Sequence, residues 1–257
     1  MSKMDQKNIK VKRYQTTTAA ATTTRSKKSQ TKEIVISSDQ MYEIENVGEN
    51  KFGIKKVIMM ENAGFGIADF IIKRFKNKGI SKLKILAICG TGNNGGDAMV
   101  AARHLACLDI NLKVILLGDP SSIKTDESLT NFQIIDKMNQ TIKFINLNDF
   151  DNKTKKEILN ADIIIDGIFG TGIKGDIQDP HLSAIKLINK SKAFIISVDI
   201  PSGLNPNNGE IVSDCIRADT TITFHRIKRG LLNKKKYTGN LILKKIGIPI
   251  EVEEGII

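Results

Sequence analysis

From residue 83 the chain alternates between two kinds of segment. Short apolar runs, many of them rich in Ile and Val, stand at 83–89, 112–117, 141–146, 162–166, 194–199 and 220–224. Between them, apolar residues recur at helical spacing, at about 95–108, 126–139, 151–160 and 178–190. Runs this short and this apolar suit strands covered on both faces. Covered strands separated by helices point to an α/β fold with a parallel, doubly wound sheet. A later run, Asn240 to Ile246, reads as an edge strand.

Such sheets bind ligands beyond the carboxyl ends of their strands. Three of the runs lead into glycine-rich loops carrying oxygen side chains. After 83–89 comes Gly90-Thr91-Gly92-Asn93-Asn94-Gly95-Gly96-Asp97. After 162–166 comes Asp166-Gly167-Ile168-Phe169-Gly170-Thr171-Gly172-Ile173-Lys174-Gly175-Asp176, and after 194–198 comes Asp199-Ile200-Pro201-Ser202-Gly203-Leu204. If the three strands are neighbours, their loops meet at one crevice. Asn94, Asp166 and Ser202 then offer hard oxygen ligands, which suit an alkali or alkaline-earth cation better than zinc. For Asp166 and Asp199, capping of the following turn is the alternative role. Gly90, Gly92 and Gly95 also satisfy a dinucleotide fingerprint, with Asp119 placed as a ribose-binding acid. Asp97 opposes that reading, because a carboxylate in the first helical turn competes with pyrophosphate for the helix dipole. The run from Gly170 to Gly175 is the better anion contact: its N–H groups can form a nest, and Lys174 adds a positive charge.

Upstream, Ser37-Ser38-Asp39 is an N-cap cluster for a helix through about Val47, punctuated by Gly48 and Gly53. A second helix is expected over about Lys55 to Lys76. Within it, Met60-Glu61-Asn62-Ala63-Gly64 serves either close helix packing or a polar lip for a nearby pocket.

The net charge of +11 is unevenly placed. Residues 1–32 carry nine Lys or Arg against one acid, Asp5, while the remaining 225 residues are close to balanced. A nucleic-acid footprint belongs on a folded body, so nucleic acid is not the expected partner. The TTTAAATTT run between basic clusters predicts a flexible tail. It is acid-poor, as some transit peptides are, but lacks a clear amphipathic Arg-rich helix. No apolar run has the length of a membrane span. Cys89, Cys107 and Cys215 share no zinc-ligand spacing and are odd in number, which favours a reducing, cytoplasmic setting. His104, His181 and His225 form no metal motif and read as surface or core residues.

The strings ICGTGNNGGDAMVAARHL, ADIIIDGIFGTGIKGD, VDIPSGLNPNNG and IRADTTITFHRIKRGLL, with MENAG upstream, resemble the NAD(P)H-hydrate epimerase family. The resemblance spans roughly residues 37–250. It departs from the family's usual residues at Thr91, Ala98 and Arg229, none of them a presumed ligand.

The resemblance implies a three-layer αβα, Rossmann-like sandwich, a domain over 33–257 and a homodimer. It implies interconversion of the R and S forms of NADHX and NADPHX, hydrated at C6 of the nicotinamide ring, in nucleotide repair. Carried over residue by residue, it makes Asn94, Asp166 and Ser202 ligands of a potassium ion. Asn93, Asn94, Gly95, Gly96, Asp97, Gly170, Thr171, Gly172, Ile173, Lys174, Gly175, Asp176 and Asp199 become substrate contacts. Asp199 is also the expected acid–base group, giving a proton to the departing hydroxyl and taking one back. A separate NAD(P)HX dehydratase is implied as a functional partner. Two other functions stay open on sequence: a non-catalytic RNA-binding and dimerisation module, as in messenger-RNA decapping scaffolds of this fold, and a nicotinamide-dependent dehydrogenase.

Overall fold

The structure is a computed structural model and describes residues 34–138, 152–173 and 175–257. The basic tail, the run at 141–146 and Lys174 lie outside these residues. The described elements in chain order are β1 (Val35–Ile36), α1 (Ser38–Phe52), α2 (Lys56–Phe75), β2 (Lys84–Cys89), α3 (Asn93–Leu105) and β3 (Asn111–Leu116). Then follow α4 (Asp126–Asp136), α5 (Asn152–Leu159), β4 (Ile163–Gly167), α6 (His181–Ile188), β5 (Phe194–Val198), β6 (Thr220–Phe224), β7 (Ile227–Lys228), α7 (Lys235–Thr238) and β8 (Asn240–Lys244).

The large sheet runs β3-β2-β4-β5-β6-β8, and each adjacent pair is parallel. The expected edge strand is β8. Side chains alternate between faces, as strand geometry requires. Ile85, Ala87 and Cys89 pack into a core shared with α1, α2 and α3. Leu86 and Ile88 point the other way, into a core shared with α5 and α6. Two apolar layers around one sheet make the three-layer α/β sandwich.

The chain leaves β2 for β3 on one side, then returns to β4 on the other. The β2/β4 boundary is therefore the point where strand order reverses, the general place for a ligand crevice. The loops leaving these strands approach closely. Gly90 N donates to Gly167 O at 2.9 Å. A Cβ on Gly90 would stand 2.1 Å from the Ile168 carbonyl oxygen, and one on Gly95 would stand 1.9 Å from Gly90 O. Only glycine permits such contact.

Helix α1 begins with a capping box: Gln40 N donates to Ser37 Oγ, and Ser37 N to Gln40 Oε1. It continues past Val47 to Phe52. Gly48 lies inside the helix, buried against Met59, and Gly53 ends it with φ 72°. The punctuation at Gly48 is thus a packing feature, and the left-handed cap is Gly53. Parallel pairing of β1 with β7 fixes where α1 starts. In α2, Gly64 packs directly on α3, where a Cβ would meet Val100 Cβ at 2.4 Å. Its neighbours Met60 and Ala63 line the central cavity with apolar surface, while Glu61 pairs with Arg103 and His104 and Asn62 Nδ2 donates to Ile246 O, so the packing reading holds and the polar lip does not form.

Candidate active site

A cavity of about 610 Å³ opens above the carboxyl ends of β2, β4 and β5. Thr91 to Asn94 and Asp97 form one wall, Ile168 to Ile173 a second, and Asp199, just past β5, also lines it. Helices α1 and α2 close the remaining side with Met41, Glu45, Met59 and Met60. A cavity this size takes a small-molecule ligand or part of one.

At these strand ends Asp166 and Ser202 are joined directly, and Asn94 is joined to them through the Phe169 backbone. Asp166, the penultimate residue of β4, is wholly buried. Its Oδ1 accepts from Ser202 Oγ at 2.5 Å, and its Oδ2 accepts from Ser197 Oγ at 2.7 Å and Ser202 N at 3.0 Å. Ser202 Oγ in turn accepts from Phe169 N at 2.9 Å. Asn94 Nδ2 donates to Phe169 O at 2.9 Å, and Ser202 Oγ lies 3.2 Å from that same carbonyl oxygen. Phe169 thus ties Asn94 to Ser202. The partners of Asp166 are hydroxyls and backbone N–H groups, all neutral, and burial pushes its carboxyl pKa up despite them.

Asp199 follows β5 with φ 57°, a left-handed conformation in a residue other than glycine. Its Oδ1 accepts from Lys228 Nζ at 2.6 Å, Thr223 Oγ1 at 2.8 Å and Phe224 N at 3.2 Å. Lys228 is 1% exposed, and its ammonium also reaches Phe224 O at 3.0 Å. The carboxylate is held at the cavity by its buried ion pair with Lys228, the last residue of β7.

Asn93 and Asp97 lie in the first turns of α3, which starts two residues earlier than its periodicity suggests. Asn93 Oδ1 accepts from Thr125 Oγ1 at 2.5 Å and Ser128 Oγ at 3.1 Å, so α4 sets its orientation. Burial, with the charges of Asp199 and Glu45, pushes the Asp97 carboxyl well above its ordinary range. That disfavours the charge set against a pyrophosphate at this helix end. Asp119, the residue placed to bind a ribose, is exposed, and its Oδ1 caps its own turn through Ser121 N and Oγ at 2.8 and 2.6 Å. Gly95 and Gly96 sit behind the lining, Gly96 against Met60 and Ser128. Gly170, Thr171, Gly172 and Ile173 face the cavity, whereas Gly175 and Asp176 are exposed.

Two lining residues, Lys228 and Glu45, went unread in the sequence, and a third, His181, reads there only as a surface or core residue. Lys228 stands 29 positions from Asp199 and meets it through the pairing of β5 with β6. Glu45 shares the inner stripe of α1 with Met41, Ile44 and Gly48, at helical spacing. That period was the signal available to find it. His181 lines the cavity beside Phe169, their ring centroids 4.9 Å apart.

The family model described as "YjeF-related protein N-terminus" matches residues 56–230. The chain is 45% identical to the NAD(P)H-hydrate epimerase of Cenarchaeum symbiosum and 44% identical to that of Nitrosopumilus maritimus, covering 86% of this chain and 99% of each relative. It is 37% identical to the bifunctional NAD(P)H-hydrate repair enzyme Nnr of Methanothermobacter thermautotrophicus, covering 81% of this chain and 39% of that protein. The crystal structure of yeast ynu0 superposes with a TM-score of 0.67 at 23% identity over 82% of this chain and 87% of that one, a likeness of fold. With the strand-end loops gathered at one cavity and 44–45% identity across 99% of the length of two epimerases, the chain belongs to the NAD(P)H-hydrate epimerase family.

Proposed function

We propose that this chain interconverts the R and S forms of hydrated NADH and NADPH, with the nicotinamide ring in the cavity beside Asp199. The observation that carries this reading is Asp199 itself: a carboxylate at a strand end, held by a buried lysine, open to a cavity flanked by the N-terminus of α3. The hydrate carries its hydroxyl on C6, beside ring nitrogen N1. Protonation of that hydroxyl lets the N1 lone pair expel water, and water returns to either face of the iminium. A carboxyl group beside C6 supplies and recovers the proton.

Asn93, Asn94, Gly95, Gly96 and Asp97, with Gly170, Thr171, Gly172, Ile173, Lys174, Gly175 and Asp176, make up the substrate-contacting loops of this reading. Unpaired N–H groups at the start of α3 suit the phosphates.

Asn94, Asp166 and Ser202 fit a monovalent cation, which we assign as potassium. Their donors are oxygens, and the buried Asp166 carboxylate has no cationic side chain among its hydrogen-bond partners. When bound, the ion would offset that charge and hold the loops leaving β2, β4 and β5 together. A cytoplasmic homodimer formed by the 33–257 domain completes the reading. Bifunctional relatives carry the name of a repair enzyme, which supports a dehydratase acting on the S form as the functional partner.

Chiral chromatography of NADHX tests this directly. The protein should speed equilibration of the epimers, more so in potassium than in potassium-free buffer. Asp199→Asn should abolish that acceleration while leaving binding of the hydrate largely intact. Equilibration no faster than in protein-free buffer would overturn the assignment.

A further inference from the structure

Inverting C6 through an iminium asks for proton chemistry on both faces of the ring. One face loses water, and the other receives it. A single carboxyl on one face leaves the second transfer unassisted. The cavity holds more acid than Asp199. Glu45 projects into it from α1, half-buried, and Asp97 from α3. Neither carboxyl has a hydrogen-bond or ion-pair partner among the described residues, whereas Asp199 Oδ1 is fully engaged by Lys228, Thr223 and Phe224. Free carboxyl oxygens on a cavity wall are available to a ligand.

We propose, resting on the epimerase reading, that Glu45 is the second acid–base group of the reaction and serves the face of the nicotinamide ring opposite Asp199. The two come from different walls, Glu45 from a helix and Asp199 from a strand end. Burial raises the Glu45 carboxyl to about 7, with the charge of Asp199 adding to the rise and that of Lys228 opposing it. Lys56 on α2 also opposes it, and Glu127 on α4 adds to it. A group poised near neutrality both gives and takes a proton. Burial raises the Asp97 carboxyl as well, with the charges of Asp199 and Glu45 adding to the rise.

The steps balance. Protonated Glu45 gives its proton to the C6 hydroxyl, the C6–O bond breaks, water leaves, and the N1 lone pair forms the C6–N1 double bond. A water on the other face adds through oxygen to C6 and yields a proton to the Asp199 carboxylate, and N1 recovers its lone pair. One proton has crossed between two carboxyls, and the hydroxyl has inverted.

Exchange in ¹⁸O-labelled water reads the two faces separately. The wild-type protein, with potassium, should label both epimers and invert both. Glu45→Gln should slow inversion about 10²-fold or more, yet still label one epimer with retention, through Asp199. Asp199→Asn should label the other epimer only. Glu45→Asp should recover part of the inversion, and the kcat/KM limb near pH 7 should vanish in Glu45→Gln. Inversion at the wild-type rate in Glu45→Gln, or equal loss of label in both epimers, overturns the role of Glu45. If the wild-type protein neither inverts nor labels above the protein-free rate, the epimerase reading itself is wrong.

Discussion

The pair formed by Lys228 and Asp199 is the most exacting test of the site as described. Lys228→Met keeps an unbranched side chain of similar length and removes the ammonium. The ammonium contacts Asp199 Oδ1 at 2.6 Å, Phe224 O at 3.0 Å and Thr223 Oγ1 at 3.4 Å. Breaking a buried pair from one side costs about 3–5 kcal/mol, because the other charge stays buried. Asp199 keeps two neutral donors, Thr223 Oγ1 and Phe224 N, and borders the cavity. The expected loss is therefore near the lower end, about 3 kcal/mol. Asp199→Asn then removes the stranded charge. Asn accepts a left-handed backbone better than most residues, so the 57° φ adds no strain. The double variant should regain stability relative to Lys228→Met, giving a coupling of about 2 kcal/mol. Urea unfolding of the four proteins measures the cycle. A loss below about 1 kcal/mol in Lys228→Met, or effects that add within about 0.5 kcal/mol, would refute the pair. Lys228 also lowers the Glu45 carboxyl, so the same substitution should move the Glu45 limb of the pH–rate profile upward.

Two further outcomes concern the frame around the site. Gly64→Ala puts a Cβ about 2.4 Å from Val100 Cβ, so α2 and α3 must separate; we expect about 1–3 kcal/mol of destabilisation, partly relieved by Val100→Ala, in thermal or urea unfolding. Burial holds His225 down to about 4, against the opposing charge of Glu253. The unfolded chain then binds more protons than the folded one between about 6.5 and 4, so this residue's contribution is complete above 6.5 and is lost as pH falls. His225→Asn tolerates the 61° φ and does not titrate, and its melting temperature should fall less from pH 7 to pH 5 than the wild type's; parallel curves would contradict it.

The elements and the loops after them were legible because each is a local pattern. Ile163 to Ile165 run apolar because β4 is covered on both faces, and Asp166 at the end of β4 meets Asn94 and Ser202 just past β2 and β5 because the carboxyl ends of parallel strands share one edge. Helix ends were read less well. Gly48 resembles a stop in sequence, yet Met59 fills the space beside it and the helix continues. The α3 boundary also lies two residues earlier than the period suggests, so Asn93 and Asn94 belong to the first turn of the helix rather than to the loop before it.

The chain's own order of residues determined the alternating architecture, the neighbouring strand-end motifs and the family. Period and composition act over a few residues and survive without knowledge of the fold. Only the tertiary structure decided that Lys228 neutralises Asp199, that Phe169 joins Asn94 to Ser202, and that Glu45 faces the same cavity. Those groups are separated by 29, 75, 33 and more positions, and proximity across such gaps is created by strand pairing and helix packing. Charge interaction depends on that distance and on burial, so the chemistry of the site is a property of the packed molecule.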